Sequence, residues 1–165
     1  MIPATLPVPL EFRLPEAWSP ANLDQVDTPG VAFAAVHPEP DNGFAANITI
    51  DGEYRLDEAT LTEIAEESVL RMRELDGSLV VLHRKEAGSG EAPALTQTLR
   101  FSTVTGGVHR DLVQIQVYLV MLDVHDASKR AVIRLALTAA ANQIDSVLGD
   151  FQDFVSTVRP DSGSK

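Results

Sequence analysis

The sequence predicts an α+β fold, an antiparallel sheet of about six to seven strands flanked by helices, and two observations carry this prediction. Apolar and polar residues alternate with a period of two along three long runs between residues 94 and 138, which is typical of an antiparallel meander. Segments 56–75 and 144–159 instead place apolar residues at helical spacing, which is typical of amphipathic helices. The meander is therefore expected to be the centre of the fold.

The first meander run sets an apolar row against a polar row. Its apolar members are Leu95, Leu99 and Phe101, and its polar members are Thr96, Thr98 and Arg100. In the second run, Val113, Ile115, Val117, Leu119 and Met121 alternate with Gln114, Gln116 and Tyr118. In the third, Ala131, Ile133, Leu135 and Leu137 alternate with Val132, Arg134, Ala136 and Thr138. We expect the apolar rows to share one buried face.

The loop at Gly106-Gly107 decides how the first two runs pair. A two-residue turn there would set Leu99 opposite Gln114, so that an apolar row would meet a polar row. A three-residue loop that includes Val108, with a glycine bulge, sets Leu99 opposite Ile115 instead. The requirement for one buried face therefore predicts the three-residue loop.

The polar rows together form a candidate partner-binding surface. The connection between the second and third runs is expected to place Tyr118 beside Arg134, with Leu119 beside Ile133 on the core side. The predicted surface consists of Thr96, Thr98, Arg100, Gln114, Gln116, Tyr118 and Arg134. Tyrosine and arginine are enriched at binding hot spots. The alternative is an ordinary solvated sheet face, which antiparallel sheets commonly have.

Shorter strands are expected before the meander. The first covers residues 10–14 and stops at Pro15, and the others cover 31–37, 44–50 and 79–84. Trp18, the one tryptophan of the chain, is interpreted as an anchor that packs the following loop onto the core. An interface aromatic is the alternative for Trp18.

The two helices have recognisable start signals. Asp57 can cap the helix predicted over 56–75, and Asn142 with Asp145 resembles a capping box before the helix predicted over 144–159. Pro160 ends that second helix. We expect one domain over residues 1–160 and a frayed tail over 161–165.

Composition excludes several classes of function. The formal net charge of −11 and the sequence pI near 4.6 argue against nucleic acid, which selects clustered lysine and arginine. The charge favours solubility, with a basic partner as the alternative. The chain has no cysteine, so thiol chemistry and thiolate metal sites are excluded. No segment approaches the roughly 20 apolar residues of a membrane span, and we expect a cytoplasmic protein unless a leader has been removed.

No pattern in the chain indicates catalysis. His37, His83, His109 and His125 show none of the close spacings that are common in metal sites. There is no Gly-x-Ser-x-Gly elbow, and no helix follows the loop at Gly88-Ser89-Gly90 that could make it a phosphate site. We therefore expect a protein that is not an enzyme and holds no metal or cofactor.

Three segments resemble a known superfamily. They are Leu10-Glu11-Phe12-Arg13-Leu14-Pro15 followed by Trp18, Asn47-Ile48-Thr49-Ile50, and the stretch 149–160 with its two phenylalanines. Together with the order of elements they are similar to the PsbP/Mog-like superfamily, close to the actinobacterial LpqN-type and DcrB-type proteins. The resemblance implies an αβα sandwich and a mostly non-catalytic role, and it transfers no functional residue. We expect the chain to differ from the LpqN-type lipoproteins, because the sequence shows neither a leader pattern nor a lipobox cysteine.

Three functions are compatible with these observations. The first is an adaptor, chaperone-like in one version, that binds a protein partner or a second copy of itself through the polar meander face. The second is a small-ligand or lipid-binding module with a pocket between sheet and helix, which a deep apolar pocket would favour. The third is a hydrolase, which a serine, a histidine and a carboxylate in hydrogen-bonding reach would favour. The first is the prediction for this chain.

Overall fold

The computed structural model describes residues 10–21, 32–40, 44–55, 59–75, 77–88, 93–105, 107–122 and 130–160. The helices are α1 (Leu61–Leu75) and α2 (Ile144–Thr157). The strands are β1 (Leu10–Glu11), β2 (Ser19–Pro20), β3 (Phe33–Val36), β4 (Asn47–Tyr54), β5 (Val80–Gly88), β6 (Pro93–Thr105), β7 (Val108–Leu122), β8 (Arg130–Ala140) and β9 (Arg159–Pro160).

The long strands form one seven-stranded antiparallel sheet in the order β2-β3-β4-β8-β7-β6-β5. The short strands β1 and β9 pair separately as a two-stranded ribbon. Helix α1 packs against β6, β7 and β8 around Leu95, Tyr118 and Val132, whereas α2 packs against Ile133, Leu135 and Leu137. Because these two sets lie on opposite faces, the sheet is sandwiched between the helices. The predicted α+β class with its flanked antiparallel sheet is confirmed.

The predicted loop between β6 and β7 is wrong. Thr105 pairs with Val108, so the connection has two residues, and Leu99 lies opposite Gln114 instead of Ile115. Gly107 adopts a φ of 78°, which glycine accepts at no steric cost in such tight hairpin turns. The tight turn therefore fixes the register that the expectation of a single buried face had excluded.

The sandwich explains why this register is stable. A sheet covered on both sides needs apolar residues on both faces, so the apolar rows of neighbouring strands need not coincide. Leu99 faces α1 together with Gln114 and Gln116, whereas Val117 faces α2 beside Thr96. The second pairing, in contrast, was predicted correctly. Residues opposed as expected are Tyr118 with Arg134, Leu119 with Ile133, and Val117 with Leu135.

Helix α1 begins with a capping box at Thr60. The Thr60 hydroxyl accepts a hydrogen bond from the Glu63 backbone N–H at 3.1 Å, and the Thr60 backbone N–H donates to Glu63 Oε1 at 2.8 Å. This reciprocal arrangement satisfies two backbone donors at the helix start. The helix thus begins at Leu61, five residues later than predicted, and Asp57 lies outside the described residues.

Helix α2 buries the predicted apolar stripe, with Val147, Phe151 and Phe154 at its centre. Its predicted capping box is wrong, because the N-cap is Gln143 and no side chain caps the helix. The helix also ends at Thr157 instead of residue 159. Arg159 leaves it to pair with Glu11 across the ribbon of β1 and β9.

Trp18 anchors its loop to the core, as predicted from the sequence. Its side chain is only 6% exposed, and its indole Nε1 donates a 3.0 Å hydrogen bond to Asp150 Oδ2 in α2. The ring packs edge-on against His37 at a centroid distance of 5.2 Å. Trp18 therefore joins the N-terminal segment to α2 through both its apolar body and its N–H group.

The bounds of several other strands also differ from the predictions. The strand predicted over 10–14 is limited to Leu10–Glu11, and the strand predicted over 44–50 runs from Asn47 to Tyr54. The strand predicted over 79–84 continues to Gly88. Asp51 suggests a strand end in the sequence, but it pairs directly with Arg134 on β8. Val31 and the tail over 161–165 lie outside the described residues.

Candidate functional site

A layer of polar side chains lies buried between α1 and the sheet. Gln97 and Gln116 sit opposite each other on β6 and β7, and both are fully buried. Gln97 Nε2 donates to Gln116 Oε1 at 2.7 Å, and the Tyr118 hydroxyl donates to the same oxygen at 2.8 Å. Gln116 Nε2 in turn donates to Gln114 Oε1 at 2.6 Å. Buried amides are tolerated when they are hydrogen-bonded in this way.

The layer continues to the edge of the sheet through Arg84 on β5. Its Nε and Nη2 atoms donate to Gln97 Oε1 at 3.0 and 2.8 Å. Its Nη1 atom pairs with Glu66 of α1. Arg84 therefore ties the edge strand to the helix and to the buried amides.

At the other end of the layer, Arg134 is held by three hydrogen bonds. Its Nε and Nη2 atoms donate to Asp51 Oδ2 at 3.0 and 2.6 Å, and Nη1 donates to Ser68 Oγ at 3.2 Å. The side chains of Arg134 and Asp51 are only 26% and 22% exposed. Each nitrogen of the guanidinium is therefore engaged.

Burial raises the pKa of Asp51, and the attraction of Arg134 reduces this rise without cancelling it. Burial also disfavours the charged form of Arg134, but the charge of Asp51, together with Tyr118 and the hydrogen bonds to both residues, outweighs this effect and raises the pKa of the guanidinium. The pair therefore consists of a permanent cation and a carboxylate whose charge is disfavoured by burial.

The raised pKa gives a testable pH dependence. Folded Asp51 binds its proton more tightly than the unfolded residue, so acidification favours the folded state at this site. We expect the free energy of unfolding of the wild type, relative to Asp51→Asn, to rise as the pH falls from neutral to below 3.8, the ordinary value. Urea unfolding of both proteins at several pH values measures this difference. A difference that falls on acidification would show that the ion pair outweighs burial.

Beside Arg134, a cleft of about 270 Å³ opens between α1 and the sheet. Its main lining side chains, which define the α1 cleft, are Asp51, Glu53, Ile64, Arg71, Tyr118 and Arg134. Four of these six side chains carry formal charges, so the cleft is not the deep apolar pocket expected of a lipid-binding module.

On the opposite face, a strip of β5 and β6 faces solvent. Its members, which define the open strip, are Val80, His83 and Lys85 on β5 opposite Arg100, Thr98 and Thr96 on β6. Val80 is 47% exposed, the Arg100 side chain is 51% exposed, and His83 and Lys85 are also exposed. The strip thus combines the cations Lys85 and Arg100 with His83 and an exposed valine.

No protein-family model matches the chain, and no curated protein matches it. Solved structures do match. LpqN, involved in cell envelope biogenesis of Mycobacterium tuberculosis, has a TM-score of 0.65 at 13% identity over 94% of this chain and 84% of LpqN. CyanoP, the PsbP of Synechocystis sp. PCC 6803, has a TM-score of 0.60 at 14% identity over 98% and 92%. The Ran-binding protein Mog1p of Saccharomyces cerevisiae has a TM-score of 0.58 at 12% identity over 92% and 89%.

These three structures share one fold with the chain along nearly its whole length. The chain has the PsbP/Mog-like fold. The predicted superfamily resemblance is thereby confirmed at the level of fold, and at such identities the likeness says nothing about a shared site.

The PsbP/Mog-like fold of this chain divides the seven predicted surface residues between its two faces. Thr96, Thr98 and Arg100 belong to the open strip on the α2 side. The residues on the α1 side are Gln114, Gln116, Tyr118 and Arg134. Gln116 and Tyr118 are at most 2% exposed, so a partner cannot reach them while α1 is in place. The two-residue turn between β6 and β7 is the physical reason for this division.

Sequence reasoning missed residues of both surfaces. Lys85 lies one residue beyond the predicted end of its strand and His83 lies within it, and the bulge between Val81 and His83 sets them opposite Thr96 and Thr98. Asp51 follows the predicted end of its strand at residue 50, and only the pairing of β4 with β8 sets it opposite Arg134. Within the described ranges, no group of three or more His, Asp or Glu side chains could hold a metal ion. No helix described here is long and apolar enough to span a bilayer.

Proposed function

We propose that this protein is a non-catalytic binding protein that receives an acidic protein partner on the open strip. The observation that carries the proposal is the presence of Lys85, Arg100 and His83 on one exposed surface of a chain whose formal net charge is −11. A local cationic surface attracts an acidic partner, whereas the acidic remainder of this protein repels it. The partner is therefore expected to dock in one orientation.

The strip also offers an apolar contact. Val80 and the neighbouring Leu82 are 47% and 56% exposed, and exposed apolar groups rimmed by charges are typical of interaction sites. Arg100 is available because its ion pair with Asp111 is 3.7 Å long and half-exposed on both sides. Such a pair contributes little to stability, so Arg100 can exchange it for a partner's carboxylate at low cost.

The partner is expected on the face of β5 and not along its outer edge. The register of β5 shifts at a bulge between Val81 and His83, and Lys85 projects from the same strand. Bulges and lysines are the features by which natural edge strands resist the addition of another strand. A partner that docks on the side chains of the strip avoids both obstacles.

A second copy of the chain fits this surface poorly. A two-fold dimer brings the same patch of both copies together, so Lys85 and Arg100 would face their own equivalents. Like charges across an interface are costly, which favours a different, acidic protein. The fold neighbours are consistent with a binding role, since Mog1p is described as Ran-binding. A cytoplasmic location and a single domain over 1–160 stay predictions.

Affinity capture tests this proposal. We expect Lys85→Glu/Arg100→Glu to capture at least about tenfold less of its specific partner from a lysate of the native host than the wild type does, because two charges at the contact change sign. Quantitative mass spectrometry of the captured proteins measures the loss. Arg100→Glu alone is expected to show an intermediate loss, and higher salt is expected to weaken wild-type capture.

Arg71→Glu is the matched control for Arg100→Glu. It makes the same charge change at an exposed arginine on the α1 side of the sheet, and we expect it to retain the partner. Retention of the partner by the double strip variant, or equal loss in Arg71→Glu, would contradict the proposal. Circular dichroism and thermal unfolding of each variant separate a loss of binding from a loss of folding.

A further inference from the structure

The α1 cleft contains one carboxylate oxygen with no hydrogen-bond partner among the described residues. Asp51 accepts both bonds from Arg134 on Oδ2, which leaves Oδ1 free. The cleft also contains Glu53, whose side chain is 57% exposed and whose contact with Arg55 is 3.3 Å long. Arg55 lies closer to Glu67, with two bonds of 3.0 and 3.1 Å. Asp51 and Glu53 therefore present acceptors for a positively charged group.

The same cleft contains a guanidinium with no direct partner in the described part of the chain. Arg71 of α1 is exposed, and it makes no ion pair or hydrogen bond with a described residue, although its charge acts on Asp51. Arg134 differs from it, because all three of its nitrogens are engaged by Asp51 and Ser68. Arg71 is thus the group in the cleft that can bind an anion.

These charges select the ligand. A free anion such as phosphate would meet Arg71 but also the carboxylates of Asp51 and Glu53, and a metal cation would meet two guanidinium groups. A molecule with one positive and one negative end satisfies both sides at once. The volume of about 270 Å³ lies just below the usual range of ligand pockets, which limits the ligand to a few heavy atoms. Ile64 adds an apolar wall.

We infer that the α1 cleft binds a small zwitterion of the α-amino acid class. The ammonium group contacts Asp51 Oδ1 and Glu53, the carboxylate contacts Arg71, and a short aliphatic side chain packs against Ile64. This site lies on the opposite face of the sheet from the open strip, so it does not depend on the protein-binding proposal.

Protein-observed NMR with L-valine tests the inference. We expect saturable shifts of the Gly52 and Val132 backbone amides, which lie at the cleft, with a dissociation constant on the order of 1 mM. N-acetyl-L-valine lacks the ammonium group and L-valinamide lacks the carboxylate, so each is expected to bind at least about tenfold more weakly. No saturable shift with L-valine at about 50 mM, or equal affinity for all three probes, would overturn the inference.

Two variants test which residue of the cleft contacts each charged end of the ligand. Arg71→Gln is expected to weaken the binding of L-valine at least about tenfold but to leave the binding of L-valinamide unchanged, because only L-valine has a carboxylate that contacts Arg71. Glu53→Gln is expected to weaken the binding of L-valine and of L-valinamide alike, because both carry the ammonium group. The binding of N-acetyl-L-valine, which lacks this group, is expected to stay unchanged. Equal effects of either variant on all three probes would contradict this orientation. Lys85→Glu/Arg100→Glu is expected to bind L-valine like the wild type, so the two proposals fail separately.

Discussion

Replacing Phe154 by alanine is expected to lower the free energy of unfolding by about 4 kcal/mol. The Phe154 side chain is fully buried in the cluster between α2 and the sheet, which also contains Leu135. Its ring contacts Phe12 edge-on at a centroid distance of 5.5 Å and stacks with Phe151 at 6.2 Å. The substitution removes these contacts and leaves a cavity that the sheet cannot close.

Urea unfolding at neutral pH measures this change. Val155→Ala is the matched control, because Val155 is the next residue of α2 and only half-buried, and it is expected to cost about 1 kcal/mol. Since typical domains are stable by about 5–15 kcal/mol, Phe154→Ala will also unfold at a clearly lower temperature. Equal effects of the two substitutions would show that α2 does not pack through Phe154.

Replacing Arg134 by leucine is expected to lower the free energy of unfolding by about 3 kcal/mol. The substitution leaves the carboxylate of Asp51 without a cation and removes a donor to Ser68. Removal of one partner from a buried pair costs about 3–5 kcal/mol, and the partial exposure of this pair places the cost at the lower end. The pKa of Asp51 is expected to rise further, because the attraction that opposes burial is lost.

The double variant Asp51→Val/Arg134→Leu isolates the cause of this loss. Replacing both partners by apolar residues removes the unpaired charge, so we expect at least about half of the lost stability to return. A double variant as unstable as the sum of the single substitutions would show that the ion pair is not the source of the effect.

The fold class, both helices and the pairing of β7 with β8 follow from the sequence, because a period of two and a period of 3.6 are local patterns. The pairing of β6 with β7 does not, because it depends on whether one or both faces of the sheet are covered. Gln116 belongs to a row that the alternating pattern assigns to the polar face, yet it is fully buried under α1. A buried polar residue that finds its partner on a neighbouring strand carries no local signal of its burial.

The candidate sites were predictable only in part, for the same reason. Thr96, Thr98 and Arg100 follow one strand, so their common face could be predicted. Their neighbours His83 and Lys85 depend on the bulge in β5, which shifts the register by one residue. The α1 cleft forms where β4, β8 and α1 come together in the fold. No local sequence pattern predicts such contacts between distant segments.

Site-specific photo-crosslinking tests the role of the open strip most directly. A photoreactive phenylalanine derivative replaces His83 on the strip or, as the control, Leu70 on α1, which is 58% exposed. In the native host, the protein substituted at His83 is expected to form a covalent adduct with one partner that Lys85→Glu/Arg100→Glu abolishes, whereas the protein substituted at Leu70 forms no such adduct. An adduct of that partner with the Leu70 variant and none with the His83 variant would contradict the proposed binding surface.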